Sequence, residues 1–268
     1  MKAFVFFPSL EMHAFLSKIV YLENEEEVFG FQSIPRNHPA IFFVSPESGS
    51  LDIHIGQNYF QLKENHVYFA GLGFHPSQMK FNAQAKMWVL MLQPQVAEMF
   101  FGDAAKAFVN QIYCVTDTHY HWRWLAEQLW EQPKSLVESI RFLEKRIAQQ
   151  LKSPKIKPSV SLALHHIYNA NGVLSINDLA KNTYTCNRNL LRQFNESIGV
   201  NPKTFSDMIR FSKLMEQLMQ RPVSNLDVLA FQFGYYDLSH LNKDFIRFLG
   251  SVLYGLSDKE KSLNQHWV

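Results

Sequence analysis

Only two cysteines stand in the 268 residues, Cys114 and Cys186, and neither belongs to a metal-ligand or redox spacing. A disulfide-rich scaffold is excluded, and the usage fits a reducing cytoplasm. No run of eighteen apolar residues occurs, so no segment reads as a membrane helix. The opening Met1-Lys-Ala-Phe-Val-Phe-Phe is too short for the apolar core of a secretory signal and is followed by Pro8. Net charge is scarce too, at a formal +2, but this balance hides an asymmetry. Residues 1–151 carry 12 basic and 15 acidic side chains, whereas residues 152–268 carry 14 and 9. A basic second half suits phosphate contact, although so small an excess does not identify a nucleic-acid binder by itself. Apolar side chains are plentiful, 47% of the chain, enough for two cores over this length.

The stretch from Ser175 to Tyr254 holds one pattern twice. Ser175-Ile-Asn-Asp-Leu-Ala180 leads through Lys181–Thr185 to Cys186-Asn-Arg-Asn-Leu-Leu-Arg-Gln-Phe194 and then Gly199. Ser224-Asn-Leu-Asp-Val-Leu-Ala230 leads through Phe231–Tyr236 to Asp237-Leu-Ser-His-Leu-Asn-Lys-Asp-Phe245 and then Gly250. Leu190 and Phe194 are four apart, as are Leu241 and Phe245, so each pair shares one helical face and points to a core. A short helix, a tight turn and a second helix make a helix-turn-helix, whose second helix enters the DNA major groove. Ser175 and Ser224 are expected N-caps of the short helices, followed by Asp178 and Asp227, and Asp237 is the expected cap of the last helix. Gly234 is expected in the turn at positive φ. Between the copies, Pro202 to Gln220 reads as a linking helix ~28 Å long, with Phe205, Ile209, Leu214 and Leu218 as its apolar stripe. Successive major-groove faces lie ~34 Å apart, so binding by both helices implies some bending of the duplex.

These residues resemble the AraC/XylS family of bacterial transcription regulators over roughly residues 160 to 256. Ser-Ile-x-x-Leu-Ala180, Arg188-x-Leu-x-Arg-x-Phe194, Gly-x-x-Pro202 and Gly234-Tyr-x-Asp-x-Ser-x-Leu-x-Lys-x-Phe245 carry the resemblance. The chain departs from the family pattern at Cys186, usually Ser, at Lys243, usually Arg, at Val252-Leu253, usually Thr-Pro, and near Leu256. The resemblance implies double-stranded DNA as partner, with RNA polymerase beside it, and places Arg188, Leu191 and Arg192 at base-reading positions.

With Leu190 and Phe194 inward, Asn187, Arg188, Leu191 and Arg192 are left facing out. Arg188 and Arg192 lie one turn apart, and Arg pairs bidentately with guanine O6 and N7, while Leu191 suits a thymine methyl. In the second copy Ser239, His240, Asn242 and Lys243 are expected outward; Asn pairs bidentately with adenine, and Lys is a less directional donor. Lys203 and Arg247 are expected on phosphates, which position without specifying.

The first half reads as β-rich. Ala40–Val44, Leu51–Ile55, Val67–Ala70 and Lys86–Leu92 are short strands separated by Gly, Pro and Asn turns. An opening helix is expected around Ser9–Ile19, and a helix at Pro94–Phe101 with a turn at Ala104–Phe108. Strands at this spacing suggest a small barrel or jelly roll with room for a ligand. Leu90–Gly102 followed by Ala107–Gln111 looks like the cupin-like sensor domain of many such regulators. His13, His38, His54, His66 and His75 fall in this half, but without the paired His-x-His and following Glu, so no metal and no cofactor is assigned. His54 is expected to face away from Ile53 and Ile55. Leu136, Ile140, Leu143, Ile147 and Leu151 form a heptad-like stripe, read either as packing on the barrel or as a homodimer seam.

The expected architecture is α+β. Residues 1–151 form a cupin-like β-barrel sensor and dimerisation domain with helices, and 152–158, with two prolines and three lysines, form a linker. Residues 159–256 form an all-α domain of two helix-turn-helix subdomains joined by a long helix, and 257–268 form a polar tail. The expected function is a sequence-specific transcription regulator responsive to a small effector, and not an enzyme. The alternatives are a cupin-type metal-dependent enzyme or ligand-binding protein carrying a helix-turn-helix module, and an accessory protein that no longer holds DNA.

Overall fold

The structure, a computed structural model, describes residues 1–25, 28–116, 120–150, 156–220 and 225–252, with the backbone alone at Phe31, residues 100–104 and Gln150. The expected linker residues 152–155, the stripe's Leu151, the cap Ser224, Leu253, Leu256 and the tail 257–268 lie outside the described residues.

The first half is built from two antiparallel sheets. Strands β1 (Lys2–Phe6), β2 (Leu16–Asn24), β4 (Ala40–Val44), β7 (Val67–Ala70), β9 (Ala85–Leu92) and β10 (Ile112–Cys114) form a six-stranded sheet in the order β1-β2-β9-β4-β7-β10. Strands β3 (Phe29–Ser33), β5 (Leu51–Ile55), β6 (Asn58–Leu62) and β8 (Ser77–Phe81) form a four-stranded sheet in the order β3-β8-β5-β6. The middle of the larger sheet, at β4, β7 and β9, is buried on both faces, which explains the uninterrupted apolar runs there. Ala40, Phe42 and Val44 of β4, with Met87, Val89 and Met91 of β9, join Leu51, Ile53 and Ile55 of the smaller sheet. The alternate residues Ile41, Phe43, Trp88, Leu90 and Leu92 enter a second core against two helices, α2 (Tyr120–Glu131) and α3 (Leu136–Gln150). The smaller sheet alternates in the ordinary way: Ile53 is buried and His54 is exposed beside Tyr59, as the strand pattern predicts.

One expectation is corrected here. No helix runs from Ser9 to Ile19; a single 3₁₀ turn at Leu10–Met12 gives way to β2 at Leu16. Strand pairing wins because β1 and β9 flank β2 on both sides, and Leu10 is left exposed. Of the two readings of the α3 stripe, packing within the chain is the one seen. Leu143 and Ile147 are wholly buried within the chain against Trp122, Leu125 and Leu129, and Leu136 and Ile140 pack on the same core. The helix at Pro94 is present as a 3₁₀ turn followed by α1 (Ala97–Phe101) and a further 3₁₀ turn, Gly102–Phe108.

The second half is all helical: α4 (Pro158–Asn169), α5 (Ile176–Asn182), α6 (Asn187–Ile198), α7 (Pro202–Gln220), α8 (Leu226–Gln232) and α9 (Leu238–Leu249). Phe194, Phe205 and Tyr168 meet in one aromatic cluster, and Phe211, Phe245 and Phe248 in another. Each recognition-type helix is thereby anchored on α7, the first at its start and the second further along.

Candidate nucleic-acid interface

Each helix-turn-helix is defined by its caps. Ser175 Oγ accepts from the Asp178 backbone N–H at 3.1 Å, and Asp237 Oδ1 accepts from the His240 N–H at 2.7 Å. The start of α8 is capped by Asn225, whose Oδ1 accepts from the Asp227 and Val228 backbone N–H groups. Cys186 holds the N-cap position of α6 with extended backbone but makes no side-chain cap hydrogen bond. A thiol is a weak acceptor, so the first recognition helix lacks a bond that a hydroxyl there would make. The turn before α9 passes through Gly234 at φ +70, and the matching turn before α6 passes through Tyr184 at φ +53. Gly199 ends α6 at φ +91, and a side chain there would stand 2.7 Å from the Ala105 carbonyl. Glycine thus lets α6 close against the turn Gly102–Phe108 of the β half.

On α6 the expected division holds. Leu190 and Phe194 are fully buried, whereas Asn187, Arg188, Leu191 and Arg192 are exposed. A groove of about 480 Å³ runs beside Cys186, Arg188, Asn189, Leu191, Arg192 and Asn195. Asn187 donates to Asn177 Oδ1 at 2.6 Å, which ties the two helices of the motif together. Arg192 lies along the helix, with Nη1 donating to Glu196 at 2.9 Å and Nη2 to Asn189 at 3.0 Å. Glu196 also accepts from Lys157 at 2.7 Å, and that bond, with Arg192 behind it, holds its carboxyl below the usual carboxylate range. Arg192 is therefore preset on the surface and must leave Glu196 to reach a base.

On α9 the division is less clean. Leu241 and Phe245 are buried as expected, and Ser239 and Lys243 are exposed. His240 is half-buried, its ring edge-on to Tyr235 at 5.1 Å. Asn242 is also half-buried, and its Oδ1 is enclosed without a hydrogen bond. Both were expected outward. They lie on the flank of α9, beside the buried Leu241 and Asp244. Ile246, which the sequence reading missed, takes part of the outward face at 55% exposure. Its signal was available: it follows Phe245 by one residue, on the face opposite Leu241. Two exposed tyrosines were also missed, Tyr184 and Tyr236, each in the turn just before a recognition helix.

Lys203 and Arg247 do not stand apart on the surface. Lys203 Nζ donates to Asp207 Oδ1 at 2.8 Å, and Arg247 Nη1 to Asp207 Oδ2 at 3.2 Å. Asp207 and Asp244 flank Arg210, which donates to Asp244 at 2.9 Å and lies 4.3 Å over the Tyr235 ring. The Tyr235 hydroxyl donates to the same Asp244 oxygen at 3.0 Å. Burial works to lower the Arg210 pKa, but Tyr235, Asp207 and Asp244 outweigh it and leave the guanidinium above its ordinary value. Burial, with Asp244 next, pushes the Tyr235 phenol up. Arg210 is thus a permanent cation that locks α9 to α7.

In the β half, Arg36 is buried and donates through Nε and Nη2 to the Gly71 carbonyl, at 3.0 and 2.9 Å. Burial lowers its pKa to about 10. His38 Nδ1 bonds the Leu92 carbonyl, and burial lowers its pKa to about 4, so the ring is neutral near pH 7. Among the described residues no group of three or more His, Cys, Asp or Glu side chains is placed to hold a metal, and no helix is long and apolar enough to cross a membrane.

Residues 179–253 match the helix-turn-helix domain family. No curated protein matches the sequence. Among solved structures, ToxT from Vibrio cholerae superposes with a TM-score of 0.51 at 11% identity, covering 98% of this chain and 98% of its own. ToxT from Vibrio cholerae O395 bound to (E)-4-(8-methylnaphthalen-1-yl)but-3-enoic acid superposes with a TM-score of 0.50 at 11% identity, again covering 98% of both chains. The AraC-like transcriptional activator CuxR, 14% identical over 80% of this chain and 86% of its own, reaches 0.35 and adds nothing to the fold argument. Residues 179–253 thus carry a helix-turn-helix domain, and the chain shares the ToxT fold, with two matched helix-turn-helix units on one linking helix beside an antiparallel β domain.

Proposed function

We propose that the chain binds a bipartite site in double-stranded DNA and reads bases chiefly with α6. The observation that carries this reading is the outward face of α6, where Arg188, Leu191 and Arg192 are exposed over buried Leu190 and Phe194. Two forked donors around one apolar side chain suit guanine and a thymine methyl. On α9, Ser239 and Lys243 are exposed and have less base-reading power. The 19-residue α7 falls short of one helical repeat, so engagement of both helices bends the duplex. Selection of bound sequences from a random duplex pool tests the proposal, with binding expected to weaken steeply as salt rises. Full-length protein that binds no duplex in a salt-sensitive way would overturn it.

The β half serves as the sensor, and its effector class is a small apolar acid. The support is the shared fold and the arylbutenoic acid held by ToxT. The chain acts as a regulator and not as an enzyme, in the cytoplasm, and meets RNA polymerase at the promoter. A homodimer would use a surface other than the α3 stripe. The effector is tested by adding the same arylbutenoic acid, and straight-chain fatty acids, to the full chain while following thermal midpoint and DNA affinity. No shift in either quantity with any acid would remove this effector class.

A further inference from the structure

Asp207 gathers cations from both halves of the DNA-binding domain. Lys203 belongs to the first turn of α7, where the chain leaves the first helix-turn-helix, and Arg247 belongs to the last turn of α9, in the second. Their charged ends meet on the two oxygens of one carboxylate, at 2.8 and 3.2 Å. The cations are well exposed, with Lys203 at 56% and Arg247 at 39%, whereas Asp207 is at 9%. Asp207 shares the third cation, Arg210, with Asp244, which lies closer to it at 2.9 Å than Asp207 does at 3.3 Å. Three cations and two carboxylates leave the cluster one positive charge in excess. Lys203 and Arg247 keep an exposed side, so a phosphate reaching both can compete with the carboxylate for them.

We propose that Lys203 and Arg247, held together by Asp207, form a ready-made clamp for one backbone phosphodiester of the DNA between the two half-sites, and that Asp207 competes with that phosphate. This rests on the DNA-binding reading above and adds to it a fixed point and a built-in restraint on affinity. The clamp touches no base, so it strengthens or weakens every sequence alike. Asp207 thereby limits non-specific attachment, because every duplex must displace it.

The test uses the full-length chain, a duplex taken from the selection above, an unrelated duplex, and a salt titration. Asp207→Asn keeps the shape and removes the competing charge. It should bind both duplexes ~3- to 10-fold more tightly, with a salt slope steeper by about one. Lys203→Ala with Arg247→Ala alters exposed side chains only. That pair should lose at least tenfold on both duplexes, with a shallower slope and the selected base preference unchanged. If these residues served only to place α9, the double variant would instead change the bases selected at the second half-site, and that result overturns the clamp. So does an Asp207→Asn protein that melts like the parent and binds with the parent's affinity and slope. Should Asp207→Asn fail to fold, the double variant decides alone: an unchanged slope refutes the proposal and a shallower one supports it. A parent chain that binds no DNA removes the DNA-binding reading and the clamp with it, whereas a parent that binds while the variants match it removes the clamp only.

Discussion

Replacing Arg192 by Ala isolates the base-reading function from the fold. The side chain is 60% exposed, and its partners Glu196 and Asn189 lie on its own helix. Glu196 keeps Lys157 when Arg192 is gone, so no buried charge is stranded and the thermal midpoint should stay near that of the parent. The loss should appear in binding. A bidentate arginine–guanine pair discriminates against the wrong base by ~1–3 kcal/mol, which is ~5- to 150-fold in affinity. The ion pair with Glu196 that the parent gives up on binding offsets part of this, so the lower half of that range is expected. Arg192→Lys retains the charge and loses the fork. It should keep the parent's salt slope yet relax the base preference at one position of the first half-site. The assay is selection from a random duplex pool, followed by salt titration on the enriched duplex, with parent and both variants. An unchanged base preference in Arg192→Ala, beside a large change in Lys243→Ala, would refute the reasoning and assign the reading to α9.

Three further outcomes are expected. Cys186→Ser supplies the missing N-cap acceptor of α6 and should raise stability by ~0.5–1 kcal/mol in denaturant unfolding; no gain would mean that the cap N–H groups are satisfied in another way. Leu143→Ala should cost ~2–4 kcal/mol in the same assay, because the side chain is wholly buried in its own chain, while sedimentation shows the parent's oligomeric state; a change of oligomer at full stability would restore the α3 stripe as a seam. His38 has its pKa lowered from an ordinary 6.5 to about 4, so the unfolded chain binds the proton first. Its contribution is complete above pH 6.5 and is lost as pH falls to about 4, up to ~3 kcal/mol in all. The difference in stability between parent and His38→Asn should shrink across that window, and a constant difference would show that His38 does not titrate there.

How much was legible in the sequence depended on whether a signal was local. Helix periodicity and caps are local, so Leu190, Phe194, Leu241 and Phe245 announced their inward faces, and Pro202 and Gly199 marked helix ends. Strands β4, β7 and β9 stood out because their part of the larger sheet is buried on both faces, and β5 because its apolar residues alternate. The strands β1, β3, β6, β8 and β10 escaped notice because half of their surface, or an edge, faces water, and β2 because Ser17, Lys18, Glu23 and Asn24 interrupt its apolar run.

The sequence by itself determined that two helix-turn-helix units share one linking helix, and which side of each recognition helix faces the core. Spacing along a helix fixes that side without reference to the rest of the chain. Only the tertiary structure decided how the exposed charges are used. Lys203 and Asp207 are four apart on one helix, a local pair, but Arg247 is 40 positions from Asp207 and only the fold brings it to the same carboxylate. The same holds for the α3 stripe, since a heptad-like face is equally suited to a second copy or to its own sheet. In the fold the stripe packs within its own chain, with Leu143 and Ile147 buried in the core that holds Trp122, Leu125 and Leu129 of α2.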